Sequence, residues 1–188
     1  MTSLRDEPVS YQVLESDLVY EGRVWDVRNE KVEYPTGVIE RQYVDHPGAA
    51  AVVAVDDEGR VLLIQQYRHP IQYRDWELPA GLLDVVGEEP LEAAKRELAE
   101  EADLAADAWE PLLSIFPTPG GNDEIIHIYL ARGLHETEAF ERTDEEAELR
   151  LAWVPLEEAA DAVLQGNFRN GALVAGVLAA ARKLSPAR

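Results

Sequence analysis

The chain has 188 residues, 46% of them hydrophobic, with 37 acidic against 17 basic side chains and a formal net charge of −20. That length suits one domain of ordinary size with a real core. The absence of cysteine excludes disulfides, thiolate metal sites and cysteine nucleophiles, and the negative charge argues against nucleic-acid binding, which needs a basic surface.

From the N-terminus, MTSLRDEPVS carries no apolar run, so no signal peptide is expected. No later stretch approaches the 18 apolar residues of a membrane span. The expectation is a cytoplasmic protein with neither membrane nor nucleic-acid partners. Residues 10–46 predict strands at Tyr11–Leu14, Gly22–Asn29, Glu30–Tyr34 and Val38–Asp45, with turn chemistry at Pro35-Thr36-Gly37. Ala49–Val55 and Val61–Gln66 are β-branched apolar runs divided by Asp56-Asp57-Glu58-Gly59, a hairpin signal. Trp76–Pro79 reads as a short strand. A helix is predicted from Pro90 to about Asp103, with Leu91, Ala94, Leu98 and Ala102 on its core face. Strands follow at Trp109–Phe116 and Ile125–Ala131, then an acidic loop over Leu134–Ala147 and a strand over Glu148–Val154. Leu156–Gln165 predicts a second helix, ended by Gly166-Asn167, and Asn170 predicts the cap of a third over Gly171–Leu184. This order predicts an α/β fold of the α+β type, a mixed β-sheet between helices. Residues 1–46 form a small N-terminal β extension and residues 47–188 the main domain.

The most informative segment is 81–104, GLLDVVGEEPLEAAKRELAEEADL. Its Glu97 neighbours Glu100 and Glu101 at helical spacing, and each like-charge pair costs about 0.2–0.5 kcal/mol. All three lie in the C-terminal half, where the helix dipole also disfavours negative charge. Acidic runs alone, such as Asp144-Glu145-Glu146, fit a solvated surface in so acidic a chain. The helical spacing is different: a divalent cation would turn its repulsions into a binding site. Arg96 could orient the carboxylates, or simply form a helical pair with Glu92 or Glu100.

This segment resembles the signature of the Nudix hydrolase superfamily: Gly, five residues, Glu, seven residues, Arg-Glu, an aliphatic, any residue, Glu-Glu, any residue, Gly and an aliphatic. Gly81 opens it, Glu88 follows, Arg96-Glu97-Leu98-Ala99-Glu100-Glu101 matches throughout, and Leu104 closes it. Two departures stand out. Six residues rather than five separate Gly81 from Glu88, and Asp103 replaces the glycine at the helix exit. The resemblance implies an α/β/α sandwich and a Mg2+ (or Mn2+) ion held by Glu97, Glu101 and the Ala80 carbonyl. It further implies that Glu100 assists through water and that Arg96 orients Glu88. Gly81 and Glu88 would be structural members of the motif.

Pro119 lies fifteen residues beyond Leu104, in Thr118-Pro119-Gly120-Gly121-Asn122-Asp123-Glu124. ADP-ribose pyrophosphatases of this superfamily carry a proline at that spacing; the bland alternative is a simple turn. Gln65–His69 and Trp76–Gly81 also resemble the segments flanking the box in those enzymes. The resemblance, over roughly residues 20–180, implies hydrolysis of ADP-ribose or a close nucleoside-diphosphate sugar. It also implies a general base on an acidic loop outside the box, here Glu146 with Glu145 second, and Glu146 as an extra metal ligand. Arg41 and Arg68 suit phosphate or ribose contacts, Trp25 and Tyr73 a stacked base, and Glu77, Pro119 and Gly120 further substrate contacts. The four histidines show no metal-ligand spacing. A homodimer through residues 10–45 is implied as well. The rivals are another nucleoside-diphosphate substrate, a non-catalytic ADP-ribose sensor on the same fold, and an interaction protein with an acidic surface helix.

Overall fold

The computed structural model describes residues 4–140 and 148–185. Ten strands and three helices are assigned there: β1 Val13–Tyr20, β2 Asp26–Tyr34, β3 Gly37–Asp45, β4 Ala49–Ala54, β5 Arg60–Arg68, β6 Tyr73–Glu77, β7 Ala80–Leu82, α1 Pro90–Ala102, β8 Leu104–Ile115, β9 Ile126–Glu136, β10 Arg150–Pro155, α2 Leu156–Leu164 and α3 Gly171–Leu184. They form two compact units, Met1–His46 with Thr118–Glu124, and Pro47–Pro117 with Ile125–Arg188.

The second unit is built around β4. This strand pairs antiparallel with β7 and parallel with β9, in a four-stranded sheet of order β7-β4-β9-β8. Side chains alternate across a strand, and here both faces are covered. Ala50, Val52 and Ala54 pack with Ala93, Ala94 and Leu98 of α1. Ala51, Val53 and Val55 join the other core cluster, with Leu156 and Ala159 of α2 and Leu173 and Val177 of α3. A strand buried on both faces reads as an unbroken apolar run, which is why Ala49–Val55 looks as it does. The result is the expected mixed sheet between helices. A second sheet, β10-β5-β6, is wholly antiparallel.

The first unit is an antiparallel sheet, β1-β2-β3, joined by the turn Thr118–Glu124. Val44 N–H donates to the Gly121 carbonyl (2.9 Å), and Asp123 N–H donates back to the Val44 carbonyl (3.2 Å). All of β1 is exposed, including Val13, Leu18 and Val19.

Several boundaries differ from expectation. The strand expected at Tyr11–Leu14 runs instead over Val13–Tyr20, because its polar side chains face polar partners across the ladder, Glu15 opposite Lys31 and Ser16 opposite Glu30. Gly22–Trp25 is not strand. Gly22 N–H donates to Asp26 Oδ1 (3.0 Å), and a Cβ on Gly22 would stand 2.0 Å from the Trp25 carbonyl oxygen. The two strands expected either side of Asn29 are one, β2, held by continuous pairing with β3. The strand expected at Trp76–Pro79 lies earlier, as β6, because β5 runs on to Arg68 and pairs with Tyr73. Strand β8 starts directly after α1, since Leu104 pairs with Glu136. Its Ala-Ala-Asp-Ala stretch has low strand propensity, and the ladder overrides it. The same pairing carries β9 to Glu136, into the expected acidic loop. Helix α3 has the predicted bounds, and Asn170 Oδ1 accepts from Leu173 N–H (3.1 Å). On α1, Ala94, Leu98 and Ala102 are buried as predicted, Leu91 is half-buried, and Ala93 joins them.

Leu98 is fully buried between α1 and the sheet. Leu98→Ala is expected to lower stability by about 2–5 kcal/mol through lost burial and the cavity left behind, measured by denaturant unfolding.

Candidate active site

Helix α1 presents more than a core face. Ala93, Glu97 and Glu101, spaced four apart, form a buried stripe in which Glu97 is 9% and Glu101 5% exposed. Burial of carboxylates is costly unless hydrogen bonds or positive charge compensate. Strand β7 supplies part of that compensation, because Ala80 N–H donates to Glu101 Oε2 (2.9 Å). Gly81 supplies the space. A Cβ there would lie 1.8 Å from Glu97 Oε1 and 2.0 Å from its Cδ, so only glycine lets this carboxylate settle against the strand.

Arg96 supplies the charge. Its Nε and one terminal nitrogen grip Glu88 (both 3.0 Å), while the other terminal nitrogen donates to Glu97 (2.6 Å) and Glu100 (3.1 Å). One planar guanidinium thereby spaces three carboxylates, using the fork geometry that lysine lacks. The pairing with Glu100 occurs alongside the grip on Glu88, and Glu92 pairs with Lys95 instead (2.8 Å). The hydrogen bond to Glu88, aided by the charge of Glu97, raises the Arg96 pKa against burial. The same bond holds Glu88 below the usual glutamate range, again against burial.

Asp103, in the place of the box glycine, adopts the left-handed conformation that exit requires, with φ 55° and ψ 37°. Its N–H donates to the Ala99 carbonyl (2.9 Å). Aspartate is among the few non-glycine residues that reach this region readily.

Nearby in the same unit, Glu77 is 4% exposed. Arg68 donates to both its oxygens (2.7 Å each) and the buried Gln66 amide to one (3.4 Å). Arg68 and Glu77, named separately from sequence, are thus a bidentate pair. Gln66 is a member of this group that the sequence marks only as part of the Gln65–His69 segment. Tyr73 lines a separate hollow with Ile71, Asp75 and Arg169. In the first unit, Arg41, Gln42 and Tyr43 face the turn Pro119–Asp123 across an open cleft of about 430 Å³, which brings Arg41, Pro119 and Gly120 together. Trp25 is not among them and lines a different hollow with Tyr20 and Arg23. Asn122 and Asp123 organise the turn, Asn122 Oδ1 accepting from Glu124 N–H (2.6 Å) and Asp123 Oδ1 from His46 N–H (2.9 Å). Glu145 and Glu146 lie outside the described residues.

The donor set around Gly81 is all oxygen: two buried carboxylates, Glu100 beside them and the Ala80 backbone. Hard divalent cations take such ligands, with water completing the shell. Among the described residues no group of three His, Cys, Asp or Glu side chains stands ready to hold a metal alone, so an ion here would need backbone oxygen and water besides the carboxylates. The residues fit a Mg2+-like ion on these terms.

A carboxylate-bearing helix laid against a mixed sheet, its acids received by a glycine-opened strand, is the architecture of a Nudix domain. The family model described as the NUDIX domain matches residues 45–175. An ADP-ribose pyrophosphatase of Mycobacterium tuberculosis is 43% identical over 90% of this chain and 82% of its own length. A methanol dehydrogenase activator of Bacillus methanolicus is 38% identical over 79% of this chain and 80% of its own. Among solved structures, that of an ADP compounds hydrolase superposes with a TM-score of 0.76, covering 96% of this chain and 97% of its own at 22% identity, a likeness of fold. The chain belongs to the Nudix family. Nudix hydrolases are generally dependent on a divalent metal.

Two outcomes are expected. Gly81→Ala should displace Glu97 and lower activity by about a hundredfold or more, as sub-ångström placement demands, while circular dichroism stays native. The depressed Glu88 pKa means that the folded state binds fewer protons through the acid range. The stability this carboxylate contributes is therefore complete above the ordinary glutamate range and is lost as pH falls through its lowered value. Thermal melts against pH should show a shallower acid limb for Glu88→Gln than for the parent.

Proposed function

We propose that this chain is a Mg2+-dependent pyrophosphohydrolase that splits ADP-ribose into AMP and ribose 5-phosphate. The observation that carries this reading is the buried pair Glu97 and Glu101 received by Ala80 and Gly81. The 43% identical relative named an ADP-ribose pyrophosphatase and the proline at position 119 support the choice of substrate.

In this reading Glu97, Glu101 and the Ala80 carbonyl hold Mg2+, with Mn2+ as substitute. The cation when bound supplies positive charge against the diphosphate and favours ionisation of water. Arg96 keeps the box carboxylates apart and aimed, and Glu100 assists through a water molecule. Glu146, with Glu145 second, takes the proton of the attacking water and adds a metal ligand. The new P–O bond forms as the bridging P–O bond breaks, and the leaving phosphate departs with that electron pair. Arg41 and Arg68 contact phosphate or ribose, and Glu77 enters as the residue that holds Arg68. Pro119 and Gly120 shape a wall against the nucleotide, and Trp25 or Tyr73 offers a ring to a base.

The proposal extends to a cytoplasmic homodimer with no nucleic-acid or membrane partner. No helix among the described residues is long and apolar enough to cross a membrane. The exposed apolar side chains of β1 and its unpaired edge, a template for another chain, favour a second copy over residues 10–45. A second substrate reading keeps the chemistry with another nucleoside-diphosphate derivative, since one relative 38% identical to this chain is a methanol dehydrogenase activator and not an ADP-ribose pyrophosphatase.

The deciding assay offers ADP-ribose, nucleotide sugars and dinucleoside polyphosphates with Mg2+. ADP-ribose is expected to give the highest kcat/KM, chelator to abolish turnover, and Glu97→Gln or Glu101→Gln to cut kcat by about a hundredfold. A preference for another substrate would overturn the assignment, and ADP-ribose binding without turnover would turn the enzyme into a sensor. Light scattering should return twice the 21.0 kDa chain mass; a monomer would remove the dimer.

A further inference from the structure

Asp103 does more than tolerate the left-handed exit of α1. Its Oδ1 accepts the Phe140 N–H at 2.8 Å, and its backbone carbonyl accepts the Thr137 N–H at 2.9 Å. Its own N–H meanwhile closes the last turn of α1 on Ala99. One residue therefore holds three backbone groups, two of them on the chain that leaves β9. A glycine in the same conformation could make the bonds to Ala99 and Thr137, but not the bond to Phe140, which needs the side chain. Replacing glycine by aspartate thus keeps the turn and adds a side-chain attachment 37 residues away in sequence. The bond is charge-assisted in kind, a carboxylate accepting from a backbone amide.

We propose that Asp103 is a positioning residue: through its carboxylate it fixes residues 137–140 against the C-terminal end of the box helix. These residues are the approach to the acidic stretch that holds the proposed general base, so the inference rests on that reading. The role assigned to Asp103 is exerted through these residues and not by contact with substrate. It sets where the approach to that stretch begins relative to Glu100 and Glu101, which lie in the last turn of the same helix. General-base catalysis depends on hydrogen-bond reach, and a misplaced starting point weakens kcat more than binding.

The test compares Asp103→Gly, which suits the left-handed exit but lacks the acceptor, with Asp103→Asn, which keeps both the backbone tolerance and an acceptor oxygen. Amide hydrogen exchange at Phe140 reads the attachment, and steady-state kinetics read its consequence. The glycine variant is expected to lose protection at Phe140, and kcat to fall about tenfold with KM changed less than about twofold, since geometry and not ground-state binding is affected. The asparagine variant is expected to restore both. Equal Phe140 protection in Asp103→Gly and the parent would overturn the inference, whatever the activity. Lost protection with unchanged kcat would overturn the positioning role. A parent protein without turnover on any diphosphate would sink the hydrolase reading instead, and exchange at Phe140 would still decide the attachment.

Discussion

The arrangement depends on a single guanidinium among carboxylates. Arg96 donates at once to Glu88, Glu100 and the buried Glu97. Burying an ionised carboxylate unpaired costs several kcal/mol. Arg96 offsets that cost while leaving one positive charge among three carboxylates. A cluster of oxygen donors with that balance of charge is of the kind hard divalent cations prefer. Glycine 81 belongs to the same balance: it makes the burial sterically possible, and Arg96 makes it electrostatically tolerable.

The parts of the molecule that sequence made legible are those with short-range rules. Helix α1 announces itself by apolar spacing and by a dense motif, and α3 by an asparagine cap followed by small residues. The run of β4 follows from the burial of both its faces. What escaped were features set by partners distant in sequence. Strand β8 begins five residues before expectation because β9 lies beside Leu104, not because of anything in Ala-Ala-Asp-Ala. The pairing of Arg68 with Glu77 needed the β5–β6 hairpin, and the bond from Phe140 to Asp103 needed two elements to end side by side. The motif itself was readable, yet nothing in it said that Glu97 lies where a Cβ on Gly81 would be.

The carboxylate cluster and the cleft beside Arg41 are built from different stretches of chain. The carboxylates belong to the unit built on β4, whereas Arg41 and the Pro119 turn belong to the N-terminal sheet. Their cleft is lined by a guanidinium, amides and Asp123, a mixture suited to an anionic, hydroxyl-rich ligand more than to an apolar one. Exposed apolar side chains of that unit, among them Val13, Leu18 and Val19 of β1, are not among the residues lining this cleft.

The turn Thr118–Glu124 is bonded to Val44 and His46, yet it is encoded between β8 and β9. The chain therefore visits the N-terminal sheet twice, and no single cut separates the two units. A gene shortened to begin at Pro47 would keep the proline turn and delete the strand that anchors it. Related chains that exchange their N-terminal portion by recombination would have to exchange this internal turn as well. Such a layout makes the front of the protein inherit as a discontinuous module.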